Sequence, residues 1–480
     1  MTRTLSAILL ALAAGGPQVA RAGFQPDLAT LASVPRVEVP APLVRKALAE
    51  PIKSQPYQYA VPVDLTLAPQ QGAWQTRGAL RSWRLRLRST GARSLSLQLA
   101  APLIPEGGEL WIYDPAAADV HGPYRADRVG VTGLWTPPVA GDELVVEIVA
   151  PAGAEIELGE ARAFHGFRDW KAAPTADAKA GSCNVDITCA SASAWAQDGG
   201  SVARISIGGA YLCSGQLLNN VRQDKRRLFL TANHCGVDGR SGPADSVFFY
   251  FNYTGQCGDG DSDPVPIPTF QGSRRLAHDV QSDFSLLLIT DVAPLPPNIY
   301  FAGWDASGAG GSSGAAIHHP LGDEKKISFF DQPATHGSVN VGAGCAIDAW
   351  QVKWSAGTTE AGSSGGGLWN SSHRLIGVLS GGSASCGNPG GTDYFARLDR
   401  GWTASSRTDG QLKAHLDPDN TCVAVVPGLD PDTVPPPSAV VATAQNSRCE
   451  GQASNCDGDG GGALDPLSLL LLALARRRRR

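Results

Sequence analysis

Short runs in which apolar and polar residues alternate dominate the first third of the chain. Examples are SWRLRLR from Ser82, SLSLQL from Ser94 and ELWIY from Glu109, and turns that contain Gly or Pro separate them. Alternation with a period of two is typical of strands that bury one face. The region from residue 23 to residue 179 is therefore predicted to be a small β-rich domain.

A second series of short apolar runs extends from residue 180 to residue 429, at spacings typical of strands joined by turns. Its clearest members are Val202 to Ile207, Arg227 to Thr231, Val247 to Tyr253, Phe284 to Ile289 and Leu375 to Leu379. Long helical periodicity is scarce. This pattern predicts a second all-β domain, built as a barrel or a sandwich.

The two ends of the chain carry different signals. Residues 1–22 combine an early Arg, an apolar stretch and Ala20-Arg21-Ala22, which fits a secretion signal peptide; a buried N-terminal helix is the alternative. Residues 430–460 are a Pro/Gly-rich linker. Residues 461–480 join glycines, a short apolar run and five arginines. This segment resembles the GlyGly-type sorting signals of exported bacterial proteins, and a disordered tail is the alternative.

The tail resemblance implies a segment that inserts transiently in the membrane and is cut by an intramembrane protease, although its apolar run is shorter than the roughly 20 residues of an ordinary spanning helix. The protein is accordingly expected to be secreted or displayed on the cell surface. A net charge of -5 over 480 residues, without a basic stripe in the middle of the chain, argues against nucleic acid as a partner.

All ten cysteines lie in the later part of the chain. An even number in an exported protein favours disulfides, and the absence of any Cys-x-x-Cys pair argues against a metal site. Asp259, Asp261 and Asp263 alternate as calcium ligands do, but Pro264 and Phe270 stand where the turn glycine and closing glutamate belong. We expect a solvated acidic loop there.

Three motifs carry candidate chemistry, in the order His, Asp, Ser. They are LTANHC with His234, QSDFSLL with Asp283 and GSSGGG with Ser364. A serine hydroxyl is a poor nucleophile until a base takes its proton, and a carboxylate must orient that base. Asp279 is the rival carboxylate, but Asp283 stands directly before an apolar strand. The backbone N–H groups of Gly362 and Ser364 could stabilise an oxyanion.

These motifs, together with GSCNVDITC from residue 181, AIHHP from residue 316 and TEAGSSG from residue 359, closely resemble the secreted bacterial lysyl endopeptidases. That family is a branch of the trypsin/chymotrypsin group. The resemblance covers residues 180–429 and implies a two-barrel, chymotrypsin-like catalytic domain that follows a β-rich propeptide. It also implies a monomeric serine endopeptidase that acts on proteins or peptides without a cofactor.

The resemblance assigns further residues. In most members of the trypsin/chymotrypsin group an Asp precedes the nucleophile and receives the new N-terminus, but here Ser363 stands there. That ion pair is therefore absent, and propeptide removal is expected to activate the enzyme, as the resemblance to the lysyl endopeptidases implies. The candidate cut lies between Lys179 and Ala180. His318 and His319 are expected to be framework residues.

Substrate specificity is expected to depend on Asp393, which aligns with the carboxylate at the base of the specificity pocket. Ser380, Gly381 and Gly382 would pair with an extended substrate. The best-known relative has His where Ser380 stands and Trp near Val341. Asp393 leads us to expect a basic P1 residue, most of all Lys. A broader Lys/Arg protease is one alternative, and a surface-displayed binding module is another.

The family pattern also implies three disulfides, Cys183–Cys386, Cys189–Cys257 and Cys213–Cys235. A bridge between Cys345 and Cys422 is a further hypothesis that the family pattern does not supply. It would leave Cys449 and Cys456 to pair in the tail or between molecules.

Overall fold

The computed structural model describes residues 24–42, 44, 52–170, 180–258, 267–341, 346–404 and 410–433. The predicted signal peptide, the acidic loop, most of the linker and the sorting tail lie outside these residues, as do Lys179, Cys345, Cys449 and Cys456. Among the described residues no helix is both long and apolar enough to cross a membrane.

The N-terminal domain is a sandwich of two β-sheets. One sheet has the order β1-β5-β11-β7-β8, with β4 beside β5, and the other has the order β10-β6-β12-β3, with β9 beside β6. The strands are β1 Arg36–Glu38, β2 Tyr57–Gln58, β3 Ala60–Leu67, β4 Ala73–Arg77, β5 Leu80–Arg88, β6 Ser94–Leu99, β7 Glu109–Tyr113, β8 Val120–Tyr124, β9 Leu134–Trp135, β10 Val139–Ala140, β11 Glu143–Pro151 and β12 Gly159–Gly166.

The alternating residues of β5 and β6 explain how the two sheets face each other. Trp83, Leu85 and Leu87 point from β5 into the same core that receives Leu95 and Leu97 from β6. All five side chains are buried. The apolar half of each alternating pattern thus fills the sandwich, and the predicted β-rich domain is present.

The first half of the C-terminal domain is a closed barrel with the order β18-β17-β14-β15-β16-β20-β19. Only Gly272 separates β18 from β19, so the first and last strands are one continuous segment. The strands are β13 Val185–Asp186 (which pairs in the second barrel), β14 Val202–Ile207, β15 Tyr211–Leu218, β16 Leu228–Thr231, β17 Phe248–Tyr250, β18 Phe270–Gln271, β19 Ser273–Asp279 and β20 Phe284–Ile289.

The second half forms another barrel, with the order β13-β23-β22-β26-β27-β28-β25-β24 and with β21 and β29 attached at β27. Residues 331–334 lead from β23, the second strand of this order, directly into β24, its last strand. The strands are β21 Trp304–Asp305, β22 Gly314–His318, β23 Lys326–Phe330, β24 Thr335–Asn340, β25 Ala346–Val352, β26 Gly367–Asn370, β27 Leu375–Gly382, β28 Asp393–Arg397 and β29 Val425–Val426.

Helices are few and short in the described residues. The α-helices are α1 Ala196–Gly199, α2 Leu398–Gly401 and α3 Lys413–Leu416, and the 3-10 turns are Leu28–Ser33, Pro69–Gln71, Ala126–Arg128, Ala190–Trp195, Asn233–Cys235, Ala244–Ser246 and Pro320–Gly322. The predicted all-β class, with two chymotrypsin-like barrels after a β-rich domain, is confirmed.

The N-terminal domain packs directly on the first barrel. Strand β2 adds to β15 in an antiparallel pairing that sets Tyr57 opposite Leu212. Around this pair, Tyr59, Phe164 and Trp170 of the N-terminal domain share one apolar cluster with residues of the C-terminal domain. The two domains therefore meet through both a shared strand pairing and a buried apolar surface.

The sandwich core yields a direct test. Leu85 is fully buried in β5, whereas Leu80 on the same strand is 42% exposed. Leu85→Ala should lower the free energy of unfolding of the N-terminal domain by about 2–5 kcal/mol, because it leaves a cavity. Leu80→Ala is the matched control and should change it little. Urea denaturation followed by tryptophan fluorescence measures both, and equal losses would contradict the core position of Leu85.

Candidate active site

His234 and Asp283 lie at the same edge of the first barrel, where the C-terminal end of β16 is paired with the N-terminal end of β20. His234 lies in the turn that follows β16, and Asp283 lies directly before β20. The Nδ1 atom of His234 is 2.8 Å from Oδ2 of Asp283, and the backbone N–H of His234 donates to Oδ1 at 2.8 Å. Both side chains are buried. The carboxylate therefore fixes both the orientation and the tautomer of the imidazole.

Asp283 adopts a backbone conformation that is unusual for its residue type. Its φ is 44°, in the left-handed region. Strain of this kind persists only where the surroundings enforce it, and it clusters at functional sites. The backbone N–H of Asn233, which donates to the Asp283 carbonyl at 3.1 Å, is one such restraint.

The rival carboxylate, Asp279, has another role. Its Oδ2 atom accepts from the backbone N–H of Ser282 at 2.7 Å and from the Ser282 hydroxyl at 2.5 Å. These bonds close the turn between β19 and β20. The structure thus brings Asp283, rather than Asp279, to His234.

Ser364 lies on a tight turn of the second barrel that only glycines allow. Gly362 and Gly365 have φ values of 88° and 79°. A Cβ on Gly365 would lie 2.3 Å from Oγ1 of Thr231, in the strand that leads to His234. The backbone N–H of Ser214 donates to the Ser364 carbonyl at 2.8 Å, so the first barrel also holds the turn. The Ser364 turn of the second barrel therefore packs against the strand of the first barrel that leads to His234.

The Ser364 hydroxyl donates to a group that the sequence did not predict. Its hydrogen bond goes to the backbone carbonyl of Lys53, in the N-terminal domain, at 2.6 Å. Within the described residues, the buried Nε2 atom of His234 has no hydrogen-bond partner. The hydroxyl that His234 would activate is thus engaged by the carbonyl of the N-terminal domain.

Ser363 and His318 form a buried polar pair beneath the turn. The Ser363 hydroxyl lies 2.8 Å from Nδ1 of His318, and it also accepts from the backbone N–H of Glu360 at 3.1 Å. Burial lowers the pKa of His318 to about 3, so this imidazole is neutral near pH 7. Its position supports the predicted framework role, with Ser363 as its partner.

Asp393 lies at the base of a buried pocket and accepts several hydrogen bonds. Its Oδ2 atom accepts from Nε1 of Trp354 and from Oγ1 of Thr359, each at 2.7 Å. Its Oδ1 atom accepts from the backbone N–H of Ala384 at 3.3 Å. These donors fix the carboxylate with Oδ1 turned toward the pocket. Sequence reasoning missed both side-chain donors, although Thr359 stands in the TEAGSSG motif.

Lys53 fills this pocket. Its Nζ atom is 2.7 Å from Oδ1 of Asp393 and also donates to the carbonyl of Ala384, and only 8% of its surface is exposed. Burial lowers the pKa of Lys53, and the Asp393 carboxylate opposes that shift. One residue of the N-terminal domain therefore contacts both Ser364 and Asp393. Nothing in the sequence around Lys53 indicates this contact.

The predicted substrate strand borders the same pocket. Ser380 is buried in β27, and a Cβ built on Gly381 would lie 3.7 Å from Cβ of Ser54. A Cβ on Gly382, whose φ is 149°, would lie 2.0 Å from Oδ1 of Asp393. Gly382 thus leaves the room that the Asp393 carboxylate needs, and Gly381 lies at ordinary contact distance from the residue after Lys53.

The three disulfides implied by the family pattern all form. Cys183 bonds to Cys386, Cys189 to Cys257 and Cys213 to Cys235. Cys422 is also disulfide-bonded. Its predicted pairing with Cys345 stays a prediction, because Cys345 lies outside the described residues.

Ala180, the predicted new N-terminus, is held by a carboxylate. Its backbone N–H donates to Oδ2 of Asp323 at 3.0 Å, and the next N–H, that of Gly181, donates to Glu360 at 3.0 Å.

In the described part of the chain, no group of three or more His, Cys, Asp or Glu side chains is arranged to hold a metal ion.

Two family models match this chain. Residues 47–158 match the lysyl endopeptidase N-terminal domain, and residues 178–396 match the lysyl endopeptidase C-terminal domain. The chain is lysyl endopeptidase-like in both domains. A lysyl endopeptidase of Pseudomonas aeruginosa is 32% identical over 299 residues, which are 57% of this chain and 62% of that relative. The match thus spans less than two thirds of the relative's length.

Solved structures of serine proteases are more distant. The protease Anisep from Arthrobacter nicotinovorans is 19% identical, with a TM-score of 0.31 over 45% of this chain and 93% of its own. The thermostable serine protease AL20 from an extremophilic microorganism is 14% identical, with a TM-score of 0.30 over 42% of this chain and 92% of its own. The barrel assignment therefore depends on the strand pairing described above.

The Cys213–Cys235 bridge fastens the His234 turn to β15 and yields a second test. Replacing both cysteines by Ser should destabilise the C-terminal domain by roughly 3–4 kcal/mol, since it frees the unfolded chain. It should also move the NMR signals of the His234 ring protons, because the turn that holds the imidazole loses its link to β15. Replacing Cys189 and Cys257 is the control, which should destabilise the domain without moving those signals. Equal changes of the His234 signals in the two variants would contradict a local role for the bridge.

Proposed function

We propose that this protein is a serine endopeptidase that hydrolyses peptide bonds after a basic P1 residue, above all Lys. Ser364 attacks the substrate carbonyl, and His234 takes the hydroxyl proton and passes it to the leaving amine. Asp283 orients His234 and stabilises its protonated form. The backbone N–H groups of Gly362 and Ser364 stabilise the oxyanion. Water then hydrolyses the acyl-enzyme.

One observation carries the proposed specificity. The ammonium group of Lys53 contacts Asp393 while the carbonyl group of the same residue contacts Ser364. A substrate lysine in that position would present its own carbonyl to the nucleophile. One lysine residue, from its side-chain ammonium to its backbone carbonyl, therefore spans the distance between Asp393 and Ser364. A P1 lysine would have to span the same distance.

The pocket contacts favour lysine over arginine. The Lys53 ammonium lies directly on Asp393 and also donates to the Ala384 carbonyl. An arginine side chain is longer and ends in a broad planar group, which would have to displace one of these partners. We therefore infer a preference for Lys, despite the absence of the His and Trp of the best-known relative.

We further propose that the protein is exported and made as a precursor. The signal peptide at residues 1–22 directs export, removal of residues 23–179 by a cut after Lys179 activates the enzyme, and the tail at 461–480 serves in sorting. The contact between the Ala180 nitrogen and Asp323 supports this start, because cleavage would convert that nitrogen to an ammonium beside a buried carboxylate. N-terminal sequencing of the secreted form tests it.

The proposed triad is tested by exchanging each candidate carboxylate for its amide. Asp283→Asn should lower kcat for a lysyl amide substrate by about 10⁴-fold, because it stabilises the wrong histidine tautomer. Asp279→Asn is the matched control and should retain most activity. Similar losses in both variants would contradict the role given to Asp283, and residual hydrolysis in Ser364→Ala shows the background.

The role of Asp393 is tested by Asp393→Asn. We expect kcat/KM for lysyl peptides to fall by about 10²–10³-fold, since the buried ammonium loses its charged partner. Labelling of Ser364 by a small uncharged phosphonate should be unaffected in the enzyme without its propeptide. Wild-type cleavage of a peptide mixture at bonds with no basic P1 residue would exclude this role, and equal cutting after Lys and Arg would support the broader protease.

A further inference from the structure

The N-terminal domain reaches the active site through the short segment around Lys53. The side chain of Lys53 ends on Asp393, its carbonyl accepts from Ser364, and the next residue, Ser54, lies beside Gly381 of the substrate strand. This order is that of a bound substrate, in which Lys53 is P1 and Ser54 is P1′. Lys53 thus occupies the position that an external lysine would need.

The geometry at the nucleophile differs from that of an attacking serine. The Ser364 hydroxyl donates its proton to the Lys53 carbonyl oxygen, whereas attack would require that hydroxyl to give its proton to Nε2 of His234. That nitrogen is buried and has no partner among the described residues. The segment therefore occupies the pocket, and its carbonyl takes the hydrogen bond that the Ser364 hydroxyl would have to give to His234.

The chain after Ser54 is firmly attached to the C-terminal domain. Gln55 closes a turn by donating its N–H to the carbonyl of Ile52 at 3.1 Å, and Tyr57 then pairs with Leu212 in the first barrel. Tyr57 and Tyr59 are both buried in the interdomain cluster. The leaving-group side of the Lys53–Ser54 bond is thus tied to the enzyme at a distance of only a few residues.

We infer that Lys53–Ser54 is a built-in reactive-site bond, through which the N-terminal domain inhibits the C-terminal domain as a tethered substrate mimic. The inference rests on the proposed function. Acylation would join Ser364 Oγ to the Lys53 carbonyl carbon, break the bond to the Ser54 nitrogen, and give that nitrogen the proton held by His234. Because β2 retains the new amine in the site, the amine returns to the acyl carbon and the peptide bond reforms.

Retention of the amine explains why the segment blocks rather than feeds the site. An ordinary leaving group diffuses away and water completes hydrolysis, but a tethered amine stays at a high effective concentration. The same tether keeps Lys53 near the pocket, so external substrates must compete with it. Removal of the whole domain, and not a single cut at Lys53, is then what frees the site.

The test uses the full precursor in which Lys179→Gln blocks the proposed activating cut. Within it, Lys53→Ala should raise the rate at which a small uncharged phosphonate labels Ser364 by about tenfold or more, because the tethered competitor loses its anchor. Hydrolysis of a lysyl amide should rise with it. Lys46→Ala, which removes the other lysine of the region, is the control and should change neither rate.

Two further variants separate anchoring from misfolding. Lys53→Arg retains a cation but has a longer and broader end group, so it should restore the block only in part. In an Asp393→Asn background, Lys53→Ala should have no further effect on phosphonate labelling, because both changes break the same ion pair. Mass spectrometry of the Lys179→Gln precursor should find at most a small fraction cut between Lys53 and Ser54, and none when Ser364→Ala is added.

The outcomes distinguish the two proposals. If Lys53→Ala and the unchanged precursor are labelled and hydrolyse substrate at the same rate, the inference is overturned while the protease function stands. Complete conversion of the Lys179→Gln precursor to the form cut at Lys53, with full activity, overturns it as well. If no form is labelled or hydrolyses substrate, even after residues 23–179 are removed, the proposed function itself fails.

Discussion

The buried ion pair between Lys53 and Asp393 connects every part of this structure that bears on function. It joins the N-terminal domain to the second barrel, occupies the proposed specificity pocket and places a carbonyl on Ser364. Burial of two charges is costly unless they are paired and their remaining lone pairs and N–H groups form hydrogen bonds. Here Trp354 and Thr359 donate hydrogen bonds to the carboxylate, and the Ala384 carbonyl accepts a hydrogen bond from the ammonium. The surroundings of Asp393 thus satisfy both charges of the buried pair.

Buried hydrogen bonds also position the candidate catalytic residues. His234 belongs to the first barrel and Ser364 to the second, so their meeting requires the barrels to pack in one relative position. Ser214 contributes to that position, since its backbone N–H holds the Ser364 carbonyl and its hydroxyl holds that of Gly362. Beneath the turn, the neutral pair of Ser363 and His318 replaces a charged contact. The nucleophile turn is therefore held by neutral hydrogen bonds.

The domain contact also explains why the N-terminal domain needs a strand as well as a lysine. A single side chain in a pocket could leave and return quickly. The pairing of β2 with β15 and the aromatic cluster around Tyr59 fix the chain on the far side of Ser54. Loss of the N-terminal domain would expose this cluster to water, together with Arg204, whose guanidinium lies under Trp170 and donates to its carbonyl.

The strands and the candidate reacting groups were predictable from the residue pattern and the motifs alone. Alternation in β5 and β6 fixes which side chains a sheet can bury, and motif order with the family resemblance singled out His234, Asp283, Ser364 and Asp393. How distant segments of the chain meet was visible only in the folded protein. Trp354 and Thr359 contact Asp393, and Lys53 lies between Asp393 and Ser364. These contacts join segments that are far apart in the chain. They depend on the packing of whole domains, so they leave no periodic mark in the sequence around each residue.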